Sequence, residues 1–185
     1  MMDSNENVTY DYRLYDQVWQ RVAPELNPYP EVRSQEMASS APTLTQCRRS
    51  LPEWENLRDL VDGELEGRRV YLAYARCAPN NNARRIMRQL AEEESRHARR
   101  LLSLYYLMSG ECYKPIPSTG CIAMPPWCQA LRQRYHDEIY DATGYRQLAE
   151  NTEDSALAQI MSGLADDEMR HARQLLCLLE QNMLA

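Results

Sequence analysis

"IMRQLAEEESRHARRLL", residues 86–102, reads as an amphipathic helix whose apolar stripe is interrupted by two residues that do not belong on one. Ile86, Leu90, Leu101 and Leu104 follow the spacing of a core-facing helix stripe. At the two intermediate stripe positions stand Glu94 and His97. A lone Glu-x-x-His on an acidic helix is usually solvated surface, so this stretch decides nothing by itself. Shifted by 74 residues, however, it lies over "IMSGLADDEMRHARQLL", residues 160–176, with 11 of 17 positions identical. Glu94 then falls on Glu168 and His97 on His171. Ile160, Leu164, Leu175 and Leu178 repeat the same stripe.

The same shift carries a second pair of segments onto each other. In "GELEGRRVYLAYA" (63–75) and "DEIYDATGYRQLA" (137–149), Glu64 falls on Glu138, Tyr71 on Tyr145 and Ala75 on Ala149. Glu64 precedes Glu94 by 30 residues, as Glu138 precedes Glu168. Because a helix rises uniformly at about 1.5 Å per residue, an antiparallel hairpin with that spacing brings its two glutamates to nearly the same depth. Each of the four falls on an apolar stripe, Glu64 with Leu57, Leu60, Tyr71 and Ala75, and Glu138 with Leu131, Tyr135, Ala142 and Tyr145. The chain is one hairpin unit used twice.

Helix-forming sequence runs over about 52–78, 83–109, 126–150 and 155–182, which predicts an all-α chain. "APNNN" (78–82) and "ENTEDS" (150–155) are short and rich in capping residues, so each joins two antiparallel neighbours. The segment "SGECYKPIPSTGCIAMPP" (109–126) is longer and punctuated by Pro and Gly. At about 3.3 Å per residue it can run the length of a helix, which suits a ferritin-like four-helix bundle with one long crossover.

Burying four carboxylates without compensation costs several kcal/mol per ion, so a cationic partner is expected among them. Two divalent metals would balance four carboxylates, and a mixed carboxylate and imidazole set suits iron or manganese. A glutamate from each of two helices and Glu-x-x-His from each of the other two is the ligand pattern of carboxylate-bridged dimetal bundles. The expected ligands are Glu64, Glu94, His97, Glu138, Glu168 and His171. Glu92, Glu93, Asp166 and Asp167 fall off the stripe or at its edge and read as solvated. His136 points about 160° from Glu138 on an ideal helix and also reads as surface. Tyr71 and Tyr145, two turns along from Glu64 and Glu138, are placed to hydrogen-bond a ligand carboxylate or a bound oxygen species, and Tyr71 is the candidate catalytic residue.

The rest of the composition narrows the class. A net charge of -6 over 185 residues argues against nucleic acid as partner, since neutralising phosphates needs clustered Lys and Arg. The first residues carry neither a basic start nor an apolar run of signal length, and no stretch approaches the length of a membrane span, so a cytoplasmic protein without membrane contact is expected. Six cysteines (47, 77, 112, 121, 128 and 177) form no C-x-x-C pair and are expected to be reduced. Residues 1–50 read as an extension, with Leu14, Val18 and Val22 on a short helix that docks on the bundle or a partner; residues 51–185 read as the bundle itself.

With these residues in place, the chain resembles the rubrerythrin branch of the ferritin-like superfamily over roughly residues 55–180. "GELEGRRVYLAYA" is similar to that family's first ligand helix, tyrosine included, and "EEESRHA" and "DDEMRHA" to its two Glu-x-x-His helices. The resemblance implies a di-iron oxidoreductase that binds and reduces hydrogen peroxide or dioxygen, and a homodimer. Rubrerythrins typically carry a rubredoxin domain, which this chain lacks; the resemblance therefore implies an external electron donor such as a separate rubredoxin-like protein. They also tend to carry a further glutamate one turn before the third-helix ligand, where this chain has Tyr135. The alternatives are manganese catalase-like disproportionation of peroxide, iron binding or storage, hydroxylation of an organic substrate, and a structural bundle that has lost its metal.

Overall fold

The computed structural model describes residues 56–183, and the extension expected over residues 1–50 lies outside them. Four helices make up the described residues: α1 Asn56–Cys77, α2 Asn81–Ser109, α3 Trp127–Asn151 and α4 Ser155–Met183. No strand occurs among these residues, which form an all-α, ferritin-like four-helix bundle.

Local chemistry sets the helix ends. Asn80 caps α2, its Oδ1 accepting from the Ala83 N–H at 2.8 Å, and so satisfies one of the donors a helix start leaves open. Gly110 ends α2 in the left-handed region, φ 73°, with its N–H on the Tyr106 carbonyl. Only glycine reaches that conformation without a Cβ penalty. Asp154 Oδ1 accepts from the Ala156 and Leu157 N–H groups at 2.9 and 3.0 Å and opens α4.

α1 pairs with α2 and α3 with α4 as two hairpins, and α2 and α4 meet across the middle of the bundle. The crossover after Gly110 runs along α1. Tyr113 donates to Asp62 Oδ2 at 2.6 Å, and Arg69, seven residues further up α1, donates to the Gly120 carbonyl. Cys77, Cys112, Cys121, Cys128 and Cys177 are free thiols. No helix among the described residues is long and apolar enough to cross a membrane.

The core is not continuous. One apolar cluster, which includes Leu57, Val61, Leu101, Leu104, Tyr145 and Leu164, fills one end of the bundle. A second, with Tyr71, Met87, Leu90, Leu131, Leu175 and Leu178, fills the other. Each fully buried Leu or Met contributes about 1.5–3 kcal/mol, and the two clusters hold the hairpins together from either side of a polar middle layer.

Candidate metal centre

The middle layer consists of the residues that interrupt the stripes. Glu64, Glu94, His97, Glu138, Glu168 and His171 are all 6 % exposed or less. They form two overlapping groups, Glu64, Glu94, His97 and Glu168 in one and Glu94, Glu138, Glu168 and His171 in the other. Within each group one oxygen or ring nitrogen per residue lies within 4.8 Å of all the others. Glu94 and Glu168 belong to both, so they are the shared members. The His97 and His171 rings stack at 5.5 Å between centroids.

Several potential ligand atoms lie buried in this layer without a hydrogen-bond partner: Glu64 Oε2, Glu94 Oε1, Glu168 Oε1 and His97 Nδ1. His97 Nδ1 is 2.8 Å from Glu168 Oε1 and 3.3 Å from Glu64 Oε2, close enough for ion pairing yet not aligned as a hydrogen bond. Buried polar atoms are rarely left so. Converging lone pairs without a partner are what a cation among them would satisfy, so the residues present fit a dimetal centre.

The outward atoms of the same side chains are held crosswise between hairpins. Tyr71 of the first hairpin donates to Glu138 Oε1 at 2.5 Å, and Tyr145 of the second donates to Glu64 Oε1. Burial, with the neighbouring carboxylates against Arg134, keeps the Tyr71 phenol far above its ordinary pKa; burial and Glu64 do the same at Tyr145. Both phenols are therefore neutral donors.

The histidines are held by two acids that the sequence reading assigned to solvent. Glu93 is buried, 5 % exposed, and its Oε2 lies 2.8 Å from His171 Nε2; Asp167 is half-buried, and its Oδ2 lies 3.2 Å from His97 Nε2. These corrections have one physical reason. Both positions sit at the edge of the stripe, and the α2–α4 crossing covers that edge, so each acid reaches the histidine of the opposite helix. Arg170 then clamps the pair, with Nη1 on Glu93 and Nη2 on Asp167, both at 2.6 Å. An Nε2–H held by a carboxylate leaves the Nδ1 lone pair free to ligate. The signal for these acids was present: the 74-residue shift places Glu93 on Asp167. Glu92, Asp166 and His136 are exposed, as read.

Without an ion, the layer stores protons. Burial pushes Glu94 up to about 8, with His171 pulling down and Glu64 and Glu138 pushing further up. Burial raises Glu168 as well. It would lower the histidines, but the carboxylates around them outweigh it and hold both far above the ordinary value. Glu138 goes the other way: against burial, His171 and Arg134 hold it down to about 2.

One more residue escaped the sequence reading. Arg134, in α3, is nearly buried, donates to Glu138 Oε1 through Nη2 and lies over the Tyr71 ring at 4.7 Å. A mid-helix arginine four residues before a ligand gives no signal of this kind. Arg134 also lines a cavity of about 330 Å³ that opens between α1 and α3, floored by Glu64 and Glu94 and bordered by Gly63, Gly67 and Gly144. The centre is thus sealed at the α2–α4 seam and accessible from the α1–α3 side.

Comparison with known proteins agrees with this geometry. Residues 55–118, which span the first hairpin and the start of the crossover, match the rubrerythrin family model. The chain is 25% identical over 117 residues to the uncharacterized protein YhjR of Bacillus subtilis (strain 168), a match covering 63% of this chain and 79% of that protein. No solved structure gives a significant match. The first hairpin is thus similar to the rubrerythrin family, and the buried carboxylate and histidine cluster fits a dimetal-binding protein.

Proposed function

We propose that this rubrerythrin-like chain is a di-iron oxidoreductase that reduces hydrogen peroxide or dioxygen with electrons from a separate donor, such as a rubredoxin-like protein. The observation that carries the reading is the set of buried oxygen and nitrogen atoms on Glu64, Glu94, Glu168 and His97 that have no hydrogen-bond partner and converge within 4.8 Å. Glu64 and His97 would hold one ion, Glu138 and His171 the other, and Glu94 and Glu168 both. Two iron ions held there would supply the electrons and the Lewis acidity that cleave an O–O bond.

The chain's own residues support that chemistry in three ways. The apolar clusters at either end keep bulk water from the layer along the bundle axis, while the cavity between α1 and α3 is wide enough to admit a diatomic or peroxide molecule. Asp167 and Glu93 fix the ring orientation of His97 and His171. Tyr71 and Tyr145 leave one oxygen of Glu138 and of Glu64 directed inward. Tyr71 acts through Glu138, so its role in the reaction is to position that carboxylate and to hold a proton next to it.

Metal analysis of anaerobically purified protein, paired with a peroxide assay, tests the reading. Two iron ions per chain and consumption of peroxide with oxidation of the ferrous form are expected. An iron-loaded protein inert to peroxide sinks the oxidoreductase reading. Oxygen evolution by the manganese form without any reductant replaces it with catalase-like disproportionation. Glu94→Ala and His97→Ala should each lose at least one ion; full occupancy in both overturns the ligand assignment.

A further inference from the structure

The repeat makes the two halves of the centre comparable position by position, and of the pairs that differ in charge one places its charge in hydrogen-bond contact with a ligand carboxylate. Under the 74-residue shift Arg134 corresponds to Leu60. Leu60 packs, partly buried, against the first apolar cluster. Arg134 instead puts a guanidinium on the ligand carboxylate of its own half, donating to the same Glu138 oxygen that Tyr71 holds. In the other half, that oxygen of Glu64 receives Tyr145. The guanidinium also reaches toward the shared ligand: a Cβ on Gly67 would lie 3.3 Å from Glu94 Oε2 and 3.6 Å from Arg134 Nη2. Among the described residues its other ion pair is Nη1 to Asp137 at 3.2 Å, and the Asp137 side chain is 43% exposed.

The charge in direct contact with the ligand then separates the halves. With neutral histidines, four carboxylates balance two divalent ions; on the side of Glu138 and His171, Asp137 and Asp141 stand where the other half has Gly63 and Gly67, but the charge hydrogen-bonded to the ligand carboxylate is the guanidinium of Arg134. A fixed cation in a buried site repels an incoming cation and competes for the lone pairs of the carboxylate it holds. We propose that Arg134 makes the two metal positions unequal, so that the half with Glu64 and His97 takes its ion at least tenfold more tightly than the half with Glu138 and His171. The inference rests on the metal centre proposed above and deepens it: the chain loads in a set order, and a one-metal form accumulates when metal is scarce.

The test titrates metal-free protein with Mn(II) anaerobically, free ion being read by electron paramagnetic resonance. His171→Ala leaves the first half and His97→Ala the second. His171→Ala is expected to bind one equivalent at least tenfold more tightly than His97→Ala. Adding Arg134→Gln, which keeps a donor for Glu138 and removes the charge, should tighten binding in the His97→Ala protein about tenfold and leave the His171→Ala protein unchanged. Arg134→Lys should preserve the gap, which a purely packing role would not. Equal affinities in the two single-half proteins, or a gap that survives Arg134→Gln, overturn the inference and leave the dimetal centre standing. Absence of uptake by the unsubstituted protein overturns both.

Discussion

An imidazole can offer either ring nitrogen to an ion, and at His97 and His171 the choice is made by one acid each. Asp167 and Glu93 occupy the Nε2 atoms, and Arg170 holds the two acids together. Glu93 is strongly committed: burial would raise it, but His171 and Arg170 hold it down to about 2. Losing such an orienting partner typically costs 10–100-fold in metal affinity. Asp167→Asn and Glu93→Gln are each expected to weaken binding by about that much while the helical circular dichroism of the protein is unchanged; affinity within threefold of the original in both variants would refute the orienting role. The six candidate ligands were legible in the sequence because each replaces an apolar residue on a stripe and each is matched by the repeat. Glu93 and Asp167 are matched by the repeat but stand off the stripe, and Arg134 has neither signal; their roles depend on what a second helix places over the edge of the first, and one helix's periodicity does not report that.

At the level of the element, the helices follow local rules closely enough to be read directly. The breaks "APNNN" and "ENTEDS" carry the capping side chains Asn80 and Asp154, and the four helices end within a few residues of where the pattern places them. Asn80→Ala should cost about 1 kcal/mol, the usual value of such a cap, lowering Tm by about 2–4 °C for a chain of this size. Gly67 separates local preference from site geometry. Mid-helix glycine is about 1 kcal/mol worse than alanine, yet a Cβ at 67 would sit 3.3 Å from Glu94 Oε2 and 3.4 Å from its Cδ, closer than carboxylate and methyl normally approach. Gly67→Ala is therefore expected to leave metal-free stability equal or higher and to weaken metal binding several-fold by displacing a shared ligand. Unchanged metal affinity would show that Glu94 accommodates the methyl group without moving. The repeat partner of Gly67 is Asp141, which borders the cavity, so the small residue is needed on the α1 side alone.

On the scale of the whole molecule, the bundle encloses a polar layer that it stabilises by protonation when no ion is bound, and this gives metal-free protein an unusual pH dependence. Glu94 rises from 4.5 to about 8, and Glu168 is raised too. A carboxyl whose folded pKa is raised contributes stability that is full below its ordinary pKa and is lost as pH climbs through the raised one. His97 and His171 are raised above 6.5, so their contribution is full below 6.5 and is likewise lost as pH rises. Glu138 and Glu93, both held down to about 2, act in the opposite sense, but their contribution fades only in acid and is complete above about 4.5. From pH 6 to 9 Glu94, Glu168, His97 and His171 therefore act in one direction, and metal-free protein should lose stability as pH rises. A single such group changes stability by about 1.4 kcal/mol per pH unit while it is titrating, enough to lower Tm by several degrees across the range. Bound metal removes the effect, because the ligands are then deprotonated and their charge is opposed by the ions; the gain from binding also grows with pH, since fewer protons compete for the same lone pairs. Thermal melts of chelator-treated and Mn(II)-loaded protein at pH 6, 7, 8 and 9 should diverge steadily, the first falling and the second level. A metal-free Tm that stays flat or rises over that range would mean that the middle layer is not the proton-loaded cluster described, and that its charge is balanced in some other way.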